Sequence, residues 1–309
     1  MRDFTVKENA KLLEYLFQVL PDTKKSNVKQ FLKTASVLVN NKPTTQFDFA
    51  LRPGDKVSVK SARDPRSVPE PEHDLKIIYH DESIVVINKP AGLLSVGTDK
   101  EPVRTAIFTT NEYLHDLEAE RLRQLGKRDN QETFRDKQIF IVHRLDKGAS
   151  GLMIFAKSEE VKQKLQAEWD QVIKKYYAVV EGVPAKKSGT VESFLFESTA
   201  MRVYSSHDEE GGKHAISHYQ VLRSSSHYSI LEVKIDTGRK HQIRVHLSDS
   251  GHPIAGDDRY NARTNPARRL ALHACYLSFK HPVTGKEVVL HSPLPKSFDM
   301  ILNKDKFIK

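Results

Sequence analysis

The segment between Ile139 and Lys157 constrains the fold of this chain more than any other stretch. Two runs of β-branched, aliphatic and aromatic residues enclose a polar segment that contains two glycines. This pattern predicts a strand, a sharp loop and a second strand, because such side chains favour strands and glycine permits tight turns. The loop presents Asp146, and connecting loops are where enzymes often carry reactive side chains.

Asp146 also has a simpler interpretation. An aspartate in a turn commonly bonds to nearby backbone or pairs with a neighbouring cation, here Arg144 or Lys147. A serine nucleophile is excluded more firmly, because the sequence at 148–152 has leucine where the G-x-S-x-G elbow requires its last glycine. Ser150 is therefore predicted to be a turn residue, and spacing alone leaves the role of the aspartate open.

The composition favours a polyanionic partner. The 309 residues include 49 lysines and arginines against 40 aspartates and glutamates, which gives a formal net charge of +9. Nucleic acid is favoured over a membrane, because no long apolar run and no obvious signal peptide are present. The single cysteine, Cys275, excludes an intramolecular disulfide and a cysteine-based zinc site. The histidines form no His-Glu-x-x-His motif, so we expect a cytoplasmic protein without a metal.

The first 62 residues predict a small α+β domain. Apolar residues recur at helical spacing from Leu12 to Leu20, and Ser26 is placed to cap a second helix. Two short strand patterns follow, at 37–39 and 57–59.

The remainder of the chain predicts a linker and a larger domain. Residues 63–74 are rich in proline and charge, which favours a linker without a core. Residues 75–309 contain many strand patterns between helices, which predicts an α+β domain with a mainly antiparallel, mixed β-sheet and flanking helices. The charged stretch at about 99–137 is interpreted as an insertion with a helix, whose leucines lie near one face: Leu114, Leu117, Leu122 and Leu125.

The helix after the central segment has a clear start. Ser158 is placed to cap it, and Trp169 is predicted to face the core rather than to stack on a nucleobase. Strand patterns precede and follow this helix, at 75–88 (two strands), 174–182, 190–197, 215–222 and 228–235.

Three blocks of sequence resemble the signatures of one enzyme family. His143-Arg144-Leu145-Asp146-Lys147, followed by Ala149-Ser150-Gly151-Leu152, resembles the catalytic motif of the RluA family of RNA pseudouridine synthases, with alanine at 149 in place of the usual threonine. "INKPAGLLSV" at 87–96 and "TGRKHQIRVHL" at 237–247 resemble two further motifs of that family. The likeness extends from about Leu75 to Pro295, apart from the insertion.

The resemblance implies site residues that spacing alone does not identify. It implies that Asp146 is the nucleophile, that Arg244 pairs with it, and that Tyr176 is a second catalytic residue. An adjacent guanidinium favours the charged form of a carboxylate, and a tyrosine offers a flat face and a phenol that can take part in proton transfer. Six further residues are candidate substrate contacts: Lys89, His143, Arg144, Arg239, His241 and Gln242.

The resemblance also implies the reaction and its partners. Pseudouridine formation breaks the N-glycosidic bond of a uridine and rejoins the base through carbon, so no cofactor is expected. A target base in a duplex must be flipped out to reach the carboxylate. We expect a monomer that acts on structured ribosomal or transfer RNA. In residues 1–62, the sequences "VLVNNK" and "LRPGDKVSV" resemble an alpha-L-type RNA-binding domain, which implies a second RNA contact.

An alternative function remains open at this point. A non-catalytic RNA-binding or ribosome-assembly protein could retain the same fold. The presence of Asp146, Tyr176 and Arg244 favours catalysis, because a carboxylate in a phosphate-attracting groove has no use in a pure RNA binder. A hydrolase is disfavoured, since no second carboxylate stands at a plausible acid position.

Overall fold

The computed structural model describes residues 2–305, apart from 22, 24–27, 30, 33–36, 41, 45, 60–74, 98–104 and 126–137. The described residues form two compact units, one made of those before residue 60 together with Gly97, and the other made of the rest. Three predicted features lie outside the described residues: the linker at 63–74, the helix cap at Ser26 and the ends of the insertion at about 99–137.

The first unit is a small α+β structure. Leu12 and Leu16 of helix α1 (Leu12–Val19) are buried in a core with strand residues such as Val37 and Val57, as the apolar spacing of the helix predicts. Its strands are β1 (Arg2–Thr5), β2 (Ala10–Lys11), β3 (Val37–Val39), β4 (Lys42–Pro43), β5 (Ala50–Leu51) and β6 (Lys56–Val59). They form an antiparallel sheet in the order β1-β6-β3-β4 and a separate β2-β5 pair.

The second unit contains eleven strands and four α-helices among its described residues. The strands are β7 (Lys76–His80), β8 (Ile84–Lys89), β9 (Phe140–Ile141), β10 (Ser150–Ala156), β11 (Ile173–Glu181), β12 (Ser188–Glu197), β13 (Val203–Ser206), β14 (Lys213–Ser224), β15 (Tyr228–Ile235), β16 (Leu272–Lys280) and β17 (Glu287–His291). The helices are α2 (Ala106–Gln124), α3 (Glu159–Ala167), α4 (Gln242–Asp249) and α5 (Lys296–Asp305).

All eleven strands belong to one mixed sheet. The order is β13-β12-β14-β15-β11-β16-β10-β8-β7, with β9 added to β10 and β17 added to β16. Only β10 and β16 pair in parallel among these described strands, and the other pairs are antiparallel. The predicted α+β class with a mainly antiparallel, mixed sheet is therefore confirmed.

Strand β10 is an interior strand of this sheet, between β16 and β8, and is buried along its whole length. From Leu152 to Ala156 its residues are therefore apolar on both faces. Gly151 is required where β10 meets β16: its φ is +115°, and a Cβ atom there would lie 2.2 Å from the carbonyl oxygen of Ala274. The loop that carries Asp146 enters the sheet at this point.

The helix after the central segment begins where the sequence predicts. Ser158 caps α3 by accepting a hydrogen bond from the Val161 amide. Trp169 lies beyond that helix in a 3₁₀ turn (Trp169–Gln171), where it packs against the core and stacks on His143 at 4.6 Å between ring centroids. Its predicted place in the core, and not on a base-stacking surface, agrees with these contacts.

The helix predicted within the insertion is observed as α2, and only part of its leucine face is covered. Thr105 caps this helix, and Leu114 packs against the core. Leu117 and Leu125, however, are 43% and 60% exposed. The helix packs through residues of its first turns, such as Ala106 and Ile107, and the leucines nearer its end project into solvent. Within the described part of the chain, every helix is too short or too polar to span a lipid bilayer.

Candidate active site

Hydrogen bonds fix the loop between β9 and β10 on both sides of Asp146. Ser95 accepts a hydrogen bond from the Leu145 amide at 3.0 Å and donates one to the Leu145 carbonyl at 2.7 Å. The carbonyl of Lys147 accepts the Gly92 amide at 2.7 Å. These bonds fix the backbone before and after the aspartate, so its carboxyl group is presented from a rigid loop. The Asp146 side chain is 30% exposed and can therefore be reached from solvent.

The Asp146 carboxylate is bonded to a guanidinium that is itself locked in place. Arg244, in the first turn of α4, donates from NH1 to Oδ2 of Asp146 at 2.9 Å. The other two nitrogens of Arg244 form a fork to the carboxylate of Asp257, at 2.7 and 2.8 Å. The Asp257 side chain is fully buried. A bidentate pair of this kind has a fixed geometry, so Asp257 aims the third nitrogen of Arg244 at Asp146.

The charges around Arg244 keep it protonated. Burial disfavours the charged guanidinium, but the hydrogen bonds that it donates to Asp257 and the negative charges of Asp146 and Asp257 outweigh that effect and raise the pKa of Arg244. A permanent positive charge thus lies beside the exposed carboxylate. The guanidinium therefore donates its hydrogen bond to Asp146 as a full cation.

The turn that precedes α4 is fixed by Gln242. The Gln242 side chain is buried; its carbonyl oxygen accepts the Thr237 hydroxyl and the Arg239 amide, at 2.8 and 3.0 Å. Its amide nitrogen donates to the Ile216 carbonyl of β14 at 2.8 Å. The hydrogen bonds of Gln242 are therefore directed into the protein, where they hold the turn and not a substrate. The exposed side chain of Arg239 bonds to the His214 carbonyl at 3.0 Å through Nε.

His241 lies beside Asp146 in a strained conformation. Its φ of 55° and ψ of 15° are in the left-handed region, which costs a non-glycine residue about 1–2 kcal/mol. This backbone turn brings Nε2 to 3.7 Å from Oδ1 of Asp146, and Nδ1 to 2.8 Å from the hydroxyl of Tyr260. Burial lowers the pKa of His241, and Asp146 opposes that shift only in part. The ring is therefore neutral near pH 7.

Tyr176 is on β11, where the register against β16 shifts between Lys175 and Tyr176. Such a bulge changes the direction in which a side chain points. Tyr176 packs against two neighbouring core clusters. Burial raises the pKa of its phenol well above the ordinary value, and the charge of Asp146 adds to the shift. The phenol therefore carries its proton at neutral pH, within electrostatic range of the aspartate.

Three other candidate residues have different environments. Arg144 is exposed next to Asp146. His143 is turned away from the loop: its Nε2 accepts the Ile154 amide at 3.2 Å, its ring stacks on Trp169, and burial lowers its pKa to about 3. Its contacts are those of a structural histidine, and a substrate contact would require it to leave them.

Lys89 is a buried lysine beneath the loop. Its side chain is fully buried, and its ammonium donates to the carbonyls of Pro90 at 2.9 Å, Leu93 at 2.7 Å and Lys147 at 3.5 Å. Burial lowers the pKa of Lys89 to about 7, although the charge of Asp146 opposes the shift. These contacts connect the β8 turn with the Asp146 loop and are those of a structural lysine, and a substrate contact by Lys89 stays a prediction.

Sequence reasoning missed two residues of the site. Asp257 and Tyr260 come from an irregular segment after α4, where no periodicity indicates which side chains point inward. The prediction for Ser150 is wrong: it is the first residue of β10, it is buried, and its hydroxyl bonds to His273 and Arg269 at 2.8 Å each. Among the described residues, no cluster of three or more His, Cys, Asp or Glu side chains is arranged to hold a metal.

Comparison with known proteins places this chain within one enzyme family. The sequence model of the family described as RNA pseudouridylate synthase matches residues 83–249. An uncharacterized RNA pseudouridine synthase from Chlorobaculum parvum is 33% identical, over 94% of this chain and 92% of its own length. The ribosomal large subunit pseudouridine synthase D of Neisseria meningitidis is 31% identical, over 93% of this chain and 76% of its own length.

A solved structure has the same fold. The structure of human RNA pseudouridylate synthase domain containing 4 matches with a TM-score of 0.58 and 26% identity. The match covers 75% of this chain and 93% of the human one. The similarity thus extends from sequence to the arrangement of the sheet.

Proposed function

The chain belongs to the RNA pseudouridine synthase family of isomerases, and from this membership we propose that it converts specific uridines of ribosomal RNA into pseudouridine with Asp146 as nucleophile. Large-subunit ribosomal RNA is the proposed substrate, because the relative from Neisseria meningitidis is named for that subunit. Transfer RNA is the second RNA class to be tested.

One observation carries the proposal: the exposed carboxylate of Asp146 is bonded to a guanidinium that Asp257 locks in place. A nucleophilic carboxylate must stay ionised when a flipped uridine excludes water from it. The fixed charge of Arg244 meets that need, because an adjacent cation favours the charged form of a carboxylate. A protein that only binds RNA gains nothing from this arrangement.

The reaction balances without an added reagent. The bond between N1 of uracil and C1′ of the ribose breaks, and a bond forms between C5 of uracil and C1′. The hydrogen on C5 leaves as a proton, and N1 gains one. Asp146 is the proposed nucleophile that holds one fragment while the uracil turns, after attack on either the uracil ring or C1′.

Three further residues have proposed roles in this reaction. Tyr176 is close enough to Asp146 for the carboxylate charge to raise the pKa of its phenol, and this phenol is proposed to take part in the proton transfer from C5. Exposed Arg144 is proposed to contact a phosphate or to fill the place of the flipped base. Exposed Arg239 is a second proposed phosphate contact.

A further proposal concerns residues 1–62, which we propose to bind RNA as a separate domain. Their apolar core, which includes Val6, Leu12 and Leu51, is distinct from the clusters of the larger unit. A protein that begins at residue 75 should therefore remain folded and bind RNA more weakly, as measured by thermal unfolding and by filter binding. An unfolded truncated protein would contradict the boundary, and unchanged affinity would contradict the RNA contact.

The catalytic proposal is tested with RNA that carries tritium at C5 of uridine. Pseudouridine formation releases that tritium to water, whereas binding alone does not. Wild-type protein should release tritium from large-subunit ribosomal RNA, and Asp146→Asn should not, because the amide keeps the shape and lacks the nucleophilic oxygen. The matched control is Asp170→Asn, which changes an exposed aspartate on the 3₁₀ turn and should behave as wild type.

Measurements of RNA binding and of tritium release together distinguish a catalytic protein from one that only binds RNA. An Asp146→Asn protein that binds RNA with wild-type affinity and releases no tritium supports catalysis. Release at the wild-type rate by that variant would contradict the role of Asp146. Wild-type protein that binds without release from any ribosomal or transfer RNA would favour the non-catalytic alternative.

A further inference from the structure

Tyr260 contacts both residues that adjoin the Asp146 carboxylate. Its ring lies beneath the guanidinium of Arg244, with 4.9 Å between the guanidinium carbon and the ring centroid. Its hydroxyl is 2.8 Å from Nδ1 of His241. The Tyr260 side chain is itself buried, so its position is fixed by the surrounding core. One tyrosine thus supports the groups that face each oxygen of the carboxylate.

The hydrogen bonds of Tyr260 determine which nitrogen of His241 carries the proton. The Tyr260 hydroxyl oxygen accepts a hydrogen bond from the Val203 amide at 3.1 Å, so its own hydrogen is available to donate. The acceptor within reach is Nδ1 of His241. A neutral imidazole with an accepting Nδ1 has its hydrogen on Nε2. That N–H is the one that lies 3.7 Å from Oδ1 of Asp146.

We propose that Tyr260 is a positioning residue that holds His241 as the Nε2–H tautomer, so that its N–H orients the free oxygen of Asp146. This inference rests on the proposed function of Asp146. Arg244 binds Oδ2, which leaves Oδ1 as the oxygen that is free to attack. The N–H of His241 lies beside that oxygen, and we expect the 3.7 Å contact to shorten to a hydrogen bond when RNA is bound.

The geometry of His241 supports a positioning role over simple packing. The residue occupies the left-handed region, where a non-glycine side chain is disfavoured, and α4 begins immediately after it. This conformation places the ring between Asp146 and Tyr260, which contacts the ring edge at 5.6 Å between centroids. Strain held at a site of polar contacts is typical of functional positions.

The test uses Tyr260→Phe, which keeps the ring beneath Arg244 and removes only the hydroxyl. Nitrogen NMR of the His241 imidazole should report the hydrogen on Nε2 in the wild-type protein and a mixture of tautomers in the variant. Turnover in tritium release should fall about three- to tenfold, the effect of one lost hydrogen bond, while KM for RNA stays unchanged. The control is Tyr204→Phe, which alters an exposed tyrosine on β13 and should leave both readouts unchanged.

Two results would overturn the inference. One is a wild-type His241 with its hydrogen on Nδ1, and the other is a Tyr260→Phe protein with an unaltered tautomer and wild-type turnover. The tautomer is measured without RNA, so it decides the Tyr260–His241 pairing even if wild-type protein releases no tritium. That last outcome would contradict the proposed function and not the hydrogen-bond pattern.

Discussion

Asp146 and Arg244 differ in how they depend on their neighbours. Asp146 is partly exposed and has one strong partner, whereas Arg244 is almost fully buried between two carboxylates. A substitution at 244 therefore affects the Asp146 carboxylate and also leaves Asp257 buried without its fork. The family resemblance pairs Arg244 with Asp146, and the structure adds that Asp257 is the residue that would be orphaned.

This difference predicts the order of two variants. Arg244→Met should destabilise the protein by about 3–5 kcal/mol, because breaking a buried ion pair leaves an uncompensated charge. Arg244→Lys keeps a charge but cannot form the fork and the third bond together, so it should be intermediate in both stability and activity. Urea unfolding and tritium release measure the two effects, with Arg263→Met as an exposed-arginine control. A stable, fully active Met variant would show that Arg244 does not support Asp146.

At the scale of elements, strand β10 is the part of the fold that the site depends on most. It follows the Asp146 loop directly, and Gly151 allows its backbone to meet β16. A side chain at position 151 would have to push β10 and β16 apart. Because the Asp146 loop leads into β10, this movement would displace the loop although no residue of the site is changed.

Two glycine substitutions separate strain from steric conflict. Gly151→Ala should cost about 3–5 kcal/mol, from an unfavourable φ and from the clash with Ala274. Gly251, which follows α4, also has a positive φ, but a Cβ atom there would meet open space. Gly251→Ala should therefore cost only about 1–2 kcal/mol. Urea unfolding measures both values. Equal costs at the two positions would show that the contact between β10 and β16 is not as tight as described.

The elements that sequence predicts well have strong local signals. The two strands between 75 and 88, the strand Tyr228–Ile235 and the cap at Ser158 are fixed by residue type and spacing over a few positions. Sequence predicts the helical spacing of the α2 leucines but not their burial, because periodicity reveals an apolar stripe and not whether a partner covers it. Asp257 and Tyr260 are missed because only the folded chain brings an irregular segment to the site.

At the scale of the whole molecule, buried histidines affect how stability depends on pH. His246 and His273 are buried with serine hydroxyls as partners, and burial lowers the pKa of each to about 4. Between about pH 6.5 and 4, the unfolded chain binds protons at these positions and the folded chain does not. The free energy of unfolding must therefore fall as the pH is lowered through this range.

The expected loss is about 2 kcal/mol for each of these histidines between pH 7 and pH 5. His273→Gln should lower the pH dependence by that amount, whatever its effect on stability at pH 7. His207→Gln, at an exposed histidine, should leave the dependence as in wild type. Urea unfolding at the two pH values provides the comparison, and equal slopes for all three proteins would contradict the assignment.

The central claim is that Asp146 of this protein forms pseudouridine in large-subunit ribosomal RNA. The most direct measurement is a pseudouridine map of that RNA from cells that lack the protein, compared with cells that regain wild type or Asp146→Asn. One or more pseudouridines should disappear without the protein, return with wild type and stay absent with the asparagine variant. A map that does not change when the protein is removed, or that the asparagine variant restores, would contradict the claim.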